Sequence, residues 1–108
     1  MVEKAAADVR LVVFVCEAGM GSSLIGANQL KRRVKDAGLG VTVVHARVGE
    51  IPPDADVVLA HEGLAERARS AAPGAVVLSF KNFLNNPAAE LLVSRLSAGQ
   101  PISADRPA

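Results

Sequence analysis

The sequence predicts an α/β domain built around a parallel, four-stranded sheet. One observation is a set of four short valine-rich runs in which apolar and polar residues do not alternate, a pattern typical of strands buried on both faces. The other is that helical patterns separate these runs, as expected where helices cross over between parallel strands. The runs cover residues 11–15, 41–44, 57–60 and 75–78.

The connection between the first two runs carries the longest helical pattern. Ser22 or Ser23 is a suitable cap for the start of this helix, and Gly38 is a suitable residue to end it. The apolar residues that recur at helical spacing are Leu24, Ala27, Leu30, Val34 and Ala37.

The later connections are shorter. The second contains Pro52-Pro53 and leaves room for at most a short helical turn. The third holds a compact helix over residues 63–69. After the fourth run, a final helix covers residues 88–96, with Pro87 near its first turn.

Right-handed crossovers between parallel strands leave few ways to arrange the four runs. We expect the flavodoxin-like order 2-1-3-4, in a three-layer sandwich with helices on both faces of the sheet. In this order the winding direction reverses between strands 1 and 3, and ligands usually bind there, beyond the carboxyl ends of the strands. Cys16 and His61 directly follow those two strands, so the predicted site contains the only cysteine of the chain.

Composition narrows the classes of function. The length fits a single domain over residues 1–108, with an ordered core over about 9–97 and mobile polar tails. A net charge of +1 and three aromatic residues, all Phe, give no basis for direct nucleic-acid binding. One cysteine cannot form an internal disulfide, and no Cys/His cluster offers a metal site. No apolar run approaches the roughly 20 residues that span a bilayer, and no signal peptide is visible, so we expect a soluble cytoplasmic domain.

The segment after the first strand has the composition of an anion-binding loop. Gly19 and Gly21 permit backbone conformations closed to other residues, so that successive N–H groups can point at a ligand. The following helix adds the partial positive charge of its amino end. Together these groups favour the thiolate of Cys16, its nucleophilic form. The alternative, that Cys16 is a small buried residue ending a strand, stays open at this point. The candidate phosphate-binding residues are Glu17, Ala18, Gly19, Met20, Gly21, Ser22 and Ser23.

Several known phosphate-binding loops do not fit this segment. It lacks the Gly-Lys-Ser/Thr end of a Walker loop, and Leu24 breaks the Gly-x-Gly-x-x-Gly dinucleotide fingerprint. It is similar in length and setting to the Cys-x5-Arg loop of protein tyrosine phosphatases, but the sixth residue after Cys16 is Ser22. Without a guanidinium, the loop loses the main group that neutralises a phosphate ester during hydrolysis. The sequence therefore disfavours a phosphatase.

Residues 15–23, Val-Cys-Glu-Ala-Gly-Met-Gly-Ser-Ser, closely resemble the active loop of enzyme IIB of the bacterial sugar phosphotransferase system, mannitol type. The similarity covers nearly all of residues 10–96. One departure is Glu17, because mannitol-type relatives usually carry Asp directly after the cysteine. The other matching segments are residues 36–39, 51–56, His61, 64–68 and 82–84.

The resemblance implies a phosphotransferase that works as a phosphoryl carrier. Cys16 would accept the phosphoryl group from a phosphohistidine of enzyme IIA and pass it to a sugar alcohol, mannitol by resemblance, bound in membrane enzyme IIC. The domain would then act at the inner face of the cell membrane through IIC, with no metal and no cofactor. Two alternatives stay open. One is an IIB-like regulatory module whose phosphocysteine signals to a transcription regulator, and the other is a small cysteine-dependent phosphatase or arsenate reductase.

Three further features have more than one interpretation. His61 is a possible accessory residue that orients the phosphate or the donor histidine, or else a histidine at a helix start or on the surface. His45 ends the second strand, away from the switch point, and is interpreted as structural. The basic segment over residues 31–35 is a solvated helix face or part of a docking surface for an acidic partner.

Overall fold

The structure is a computed structural model, and it describes residues 3–16, 21–80 and 87–103. Short 3-10 turns at Ala6–Asp8 and Val48–Glu50 lie between the main elements. In chain order, the strands and helices are β1 (Glu3–Lys4), β2 (Leu11–Cys16), α1 (Gly21–Asp36), β3 (Thr42–Arg47), β4 (Val57–His61), α2 (Ala65–Ala71), β5 (Val76–Phe80), α3 (Pro87–Ser97) and β6 (Ile102–Ser103).

The central sheet has the order β3-β2-β4-β5, and all neighbouring strands in it are parallel. In the register of the sheet, Val12 of β2 lies opposite both Val43 of β3 and Val57 of β4. This arrangement confirms the predicted order 2-1-3-4, in which the first predicted strand is β2 and the later three are β3, β4 and β5.

Helices cover both faces of this sheet, which confirms the three-layer sandwich. Val12 and Phe14 belong to the core that packs under α1 and α3, with Leu92 of α3 fully buried in it. Val13 and Val15 belong to a second core, which α2 covers from the other side. Because successive side chains of a strand point to opposite faces, a strand covered on both sides is apolar at every position.

The end of α1 is as predicted, but its start differs. Gly38 has φ 71°, and the N–H groups of Gly38 and Leu39 donate to the carbonyls of Lys35 and Val34, which is a Schellman turn. The helix begins at Gly21, so Ser22 and Ser23 lie in its first turn and do not precede it as a cap would. The apolar spacing starts only at Leu24 and could not reveal the polar turn before it.

Two short strands, β1 and β6, lie outside residues 9–97. Strands β1 and β6 pair antiparallel, with Lys4 opposite Ile102, and the Ile102 side chain is only 1% exposed. A second Schellman turn, with Gly99 at φ 72°, reverses the chain after α3 and brings Ile102 back to the core. Two-residue strands and single apolar residues carry no periodicity, so the sequence pattern did not reveal them.

No helix within the described ranges is both long and apolar enough to cross a bilayer.

Candidate functional site

Cys16 is the last residue of β2, at the carboxyl edge of the sheet. On one side it lies level with Arg47, the last residue of β3. On the other side, the pairing of β2 with β4 is described as far as Phe14 opposite Leu59, and two residues further along lie Cys16 and His61. Cys16 therefore ends β2, one of the two neighbouring strands, β2 and β4, between which the winding direction reverses.

The helix that follows Cys16 begins at the same edge. Residues 17–20, which contribute the candidates Glu17, Ala18, Gly19 and Met20, lie outside the described part of the chain. The backbone of Gly21, Ser22 and Ser23 forms the first turn of α1, a helix of 16 residues. The N–H groups of a first turn have no partners within their helix, and they carry its positive end. The described part of the loop thus offers amide donors one short connection away from Cys16.

Contacts with Gly63, Leu64 and Phe80 help to hold His61 in place. Its Nδ1 accepts a hydrogen bond from the Gly63 backbone N–H at 3.2 Å, and its carbonyl accepts one from Leu64 at 2.7 Å. Its ring lies edge-on to Phe80, with the ring centroids 6.0 Å apart and the planes at 86°. The side chain is half-buried. His61 is therefore an oriented strand-end residue, and the alternative of a helix-start position does not hold because α2 begins only at Ala65.

Sequence reasoning missed Arg47. The second strand was expected over residues 41–44, but β3 continues to Arg47 and carries an exposed, non-terminal His45. The sequence did not indicate this extension because the residues of β3 after Val43 are half-buried or exposed, so the apolar run does not continue through them. The Arg47 side chain is 64% exposed, and its Nε lies 4.0 Å from Oε1 of Glu50. No signal in the sequence places Arg47 level with Cys16, since that depends on the register of β3.

The residues of the basic segment 31–35 in α1 differ in their contacts. Val34 is buried in the core, and Arg33 forms an ion pair and two hydrogen bonds with Glu90 of α3. The remaining basic residues, Lys31, Arg32 and Lys35, are exposed. Arg33 thus joins α1 to α3, while the docking role of the other three stays a hypothesis.

Asp56 lies at the opposite, amino edge of the sheet. Its Oδ2 accepts hydrogen bonds from the backbone N–H groups of Arg10 at 2.8 Å and Leu11 at 2.9 Å. Its Oδ1 accepts one from Lys4 at 3.1 Å. Asp56 belongs to the matching segment 51–56, and its contacts give that segment a structural role away from Cys16. No group of three or more His, Cys, Asp or Glu residues that could hold a metal ion occurs within the described residues.

Comparisons with known proteins agree with this arrangement. Residues 11–94 match the family model described as the PTS system, Lactose/Cellobiose specific IIB subunit. The mannitol-specific EIICB component of Halalkalibacterium halodurans is 40% identical over 93 residues, which cover 86% of this chain and 20% of that protein. The mannitol-specific EIICB component of Bacillus subtilis is 40% identical over 89 residues, which cover 82% of this chain and 19% of that protein. The mannitol-specific EIICBA component of Escherichia coli is 41% identical over 93 residues, which cover 85% of this chain and 15% of that protein.

The chain spans a fifth or less of the length of these relatives. The family model nevertheless covers the four strands of the central sheet, α1, α2 and most of α3, which is well over half of the chain. These findings confirm the resemblance that residues 15–23 indicated. The chain belongs to the IIB family of the PTS, the bacterial sugar phosphotransferase system.

Proposed function

We propose that this domain carries a phosphoryl group on the sulfur of Cys16 between two other components of a sugar phosphotransferase system. The observation that carries the proposal is the position of the only cysteine of the chain, which ends β2 at the switch point and is followed by the start of α1. The second support is the match to IIB proteins, whose mannitol-specific members share about 40% of the residues.

The carrier reaction consists of two displacements at phosphorus. The Cys16 thiolate attacks the phosphoryl group of a phosphohistidine on enzyme IIA, the P–N bond breaks as the S–P bond forms, and the imidazole leaves. A hydroxyl of the sugar alcohol then attacks the same phosphorus, the S–P bond breaks, and the hydroxyl proton passes to a base or to solvent. Both steps depend mostly on in-line positioning and on stabilisation of the phosphoryl oxygens.

The proposed stabilising groups are the backbone amides of residues 17–23. The first turn of α1 supplies the donors of Gly21, Ser22 and Ser23, and its dipole favours a dianion at this end of the helix. The serine hydroxyls are proposed to add hydrogen bonds. The loop itself contains no arginine to promote attack by water, and slow hydrolysis is what a carrier requires.

The proposed acceptor is mannitol, because the relatives are mannitol-specific components. Those relatives join a IIB segment to a IIC component, and some also to a IIA component. We therefore propose that the domain works at the inner face of the membrane, where IIC presents the sugar. Glu17 is the proposed site residue that departs from the usual Asp of mannitol-type proteins.

The test is the intact mass of the protein before and after incubation with phosphorylated enzyme IIA. We expect one added phosphoryl group on sulfur, identified by its 31P NMR signal, and no addition in Cys16→Ser. Because Cys16 is the only cysteine, a sulfur adduct can form nowhere else on the chain. A phosphoryl group that persists in Cys16→Ser, for example on His61, would contradict the proposal.

A second experiment separates transport from regulation and hydrolysis. The phosphorylated domain is mixed with membranes that contain IIC, once with mannitol and once with a different polyol. Loss of the phosphoryl group to mannitol alone supports the proposed acceptor. Retention with both polyols favours the regulatory module, and release of inorganic phosphate without any polyol favours a phosphatase.

A further inference from the structure

We propose that one basic surface, made of Lys31, Arg32 and Lys35 of α1 and Arg47 of β3, binds the anionic headgroups of membrane phospholipids. The inference rests on the proposed function, which brings the domain to the inner face of the membrane. Its grounds are the charges that this surface carries, its place in the fold and the polar nature of its surroundings.

The three cations of α1 in this surface are not used inside the domain. Arg33 forms an ion pair with Glu90 of α3. The neighbouring Lys31, Arg32 and Lys35 are exposed, and none of them forms an ion pair with a residue in the described ranges. Lys31 and Lys35 are like charges at positions i and i+4 of a helix, which repel one another. An anionic ligand that lies across this surface relieves that repulsion.

Arg33 also shows on which side of α1 the residues Lys31 and Lys35 lie. Each is two positions from Arg33, or about 200° around the helix, so both lie on the flank opposite α3. The helix α1 packs on β2 and β3, and α3 packs on β5, so this flank borders the edge strand β3. Asp36, the acidic residue of α1, lies only about 60° from Arg33 and therefore on the α3 side.

Arg47 extends the basic surface along β3. Val43 belongs to the core under α1, so the alternation along the strand assigns Arg47, four positions later, to the same face of the sheet. The Arg47 side chain is exposed, and the Glu50 carboxylate lies 4.0 Å from its Nε, which is beyond hydrogen-bond distance. Neither β3 nor the turn over residues 37–41 contains an acidic residue, so these segments place no carboxylate against the lysines.

The surroundings of the basic surface fit a layer of lipid headgroups better than a partner protein. Protein interfaces need a desolvated centre that is rich in apolar and aromatic side chains. In the described part of the chain, the large apolar side chains that are exposed are Ile25 and Leu91. Leu91 is on α3, and Ile25 lies about 120° around α1 from Lys31, so neither is beside the lysines. Clusters of at least four Lys or Arg residues are typical of sites for anionic lipids.

The two lysines lie away from the edge of the sheet where α1 begins. Lys31 and Lys35 come ten and fourteen residues after Gly21, which is about 15–21 Å along the helix axis. A contact made by them therefore does not compete with a protein that docks at the edge where β2 ends in Cys16. Membrane contact through this surface keeps the domain close to IIC and leaves that edge accessible.

The test is binding to vesicles by variants that lose two charges from one face of the sheet or from the other. Lys31→Gln combined with Lys35→Gln removes two cations from the basic surface. The matched control, Arg67→Gln combined with Arg69→Gln, removes two from α2, which covers the opposite face. Both pairs change the net charge by the same amount, so they differ only in where the charge is lost.

The measurement is the partition of the unphosphorylated protein onto sedimented vesicles, made of phosphatidylcholine alone or mixed equally with phosphatidylglycerol. Each Lys or Arg close to an anionic surface strengthens binding about 5-fold. We expect the unchanged protein to bind only the anionic vesicles, at about 0.1 M salt and not at about 1 M, where the screening length falls to about 3 Å. The lysine pair should bind about 10-fold to 25-fold more weakly, and the control pair should stay within about 3-fold of the unchanged protein.

Equal losses in the two pairs would overturn the inference, because net charge and not this surface would then be responsible. Failure of the unchanged protein to bind anionic vesicles, or equal binding to phosphatidylcholine alone, would also overturn it. So would a lysine pair that binds vesicles normally but takes up phosphoryl groups more slowly from enzyme IIA in solution, since the occupant would then be an acidic protein.

The vesicle assay requires no phosphoryl transfer, so it separates this inference from the proposed function. Intact binding to anionic vesicles by a protein that takes up no phosphoryl group on Cys16 contradicts only the proposed function. Normal phosphorylation of a protein that does not bind anionic vesicles contradicts only this inference.

Discussion

Replacement of Asp56 should weaken the side-chain contacts that join the start of β4 to β1 and β2 at the amino edge of the sheet. Besides the side-chain bonds to Arg10, Leu11 and Lys4, the Asp56 backbone N–H donates to the Leu11 carbonyl, and its carbonyl accepts from Val76, both at 2.9 Å. Asp56 thus connects the starts of β2, β4 and β5. Its side chain is only 16% exposed, so water cannot fully replace the lost partners.

The magnitude follows from the number of hydrogen bonds to the carboxylate. Each such bond contributes about 1.5–3 kcal/mol. Because three of them share one carboxylate, they are not additive. We expect Asp56→Ala to lower the free energy of unfolding by about 3 kcal/mol and Tm by about 10–20 °C. Asp56→Asn keeps one oxygen that can accept from both Arg10 and Leu11, so its loss should be about 1 kcal/mol.

The contribution of Asp56 to stability should depend on pH. Burial alone would raise the pKa of Asp56, but the hydrogen bonds from Arg10, Leu11 and Lys4 outweigh it and hold the pKa below the ordinary value of 3.8. A carboxyl group whose pKa is lower in the folded state contributes stability above its unfolded pKa and loses it as the pH falls through the folded value. The stability difference between the unchanged protein and Asp56→Asn should therefore be full at neutral pH and shrink below pH about 4.

The assay is urea unfolding followed by circular dichroism at pH 7 and pH 3. The control is Asp54→Asn, because Asp54 lies two residues earlier and is exposed. The reasoning is refuted if Asp56→Asn is as stable as Asp54→Asn at pH 7. It is also refuted if the difference between Asp56→Asn and the unchanged protein is the same at both pH values.

Two other predictions concern the packing of β6 against the core and the glycine turn that ends α1. Ile102→Ala should lower the free energy of unfolding by about 2–5 kcal/mol in urea, because it leaves a cavity in the core, whereas Ile25→Ala at a 53% exposed position should cost far less. Equal effects would mean that the C-terminal strand does not pack in solution. Gly38→Ala should cost about 1–2 kcal/mol in the same assay, because Gly38 has a positive φ. Gly49→Ala, where φ is not positive and the space is open, should change stability little; a similar loss at both glycines would count against the strained turn.

Much of the fold was predictable because burial leaves a direct mark on the sequence. The runs that became β2, β4 and β5 are apolar at successive positions, as strands covered on both sides must be. The α1 pattern and its glycine end followed from local rules of helix geometry. The exposed half of β3 left no such mark, and the predicted strand therefore ended at Val44, three residues before the strand itself.

The candidate site was predictable in part. The order of the strands indicated the edge of the sheet where Cys16 lies, and the structure places it there. The chemistry that the cysteine and the glycine-containing segment after it indicated stays a prediction. The orientation of His61 was not predictable, because it depends on Phe80 from the next strand and on the turn at Gly63. The role of Asp56 was equally hidden, because its hydrogen-bond partners are about 45–52 residues earlier in the chain.

The sequence by itself determined the α/β class, the positions of the buried strands, the single cysteine and the family resemblance. These features are local or compositional, so they can be inferred residue by residue. Only the tertiary structure decided which side chains are neighbours: Arg47 level with Cys16, His61 oriented by Phe80 and Gly63, Asp56 joined to Lys4, and Ile102 returned to the core. The physical reason is that strand register and chain reversal bring together residues far apart in the sequence, and no local pattern records those distances.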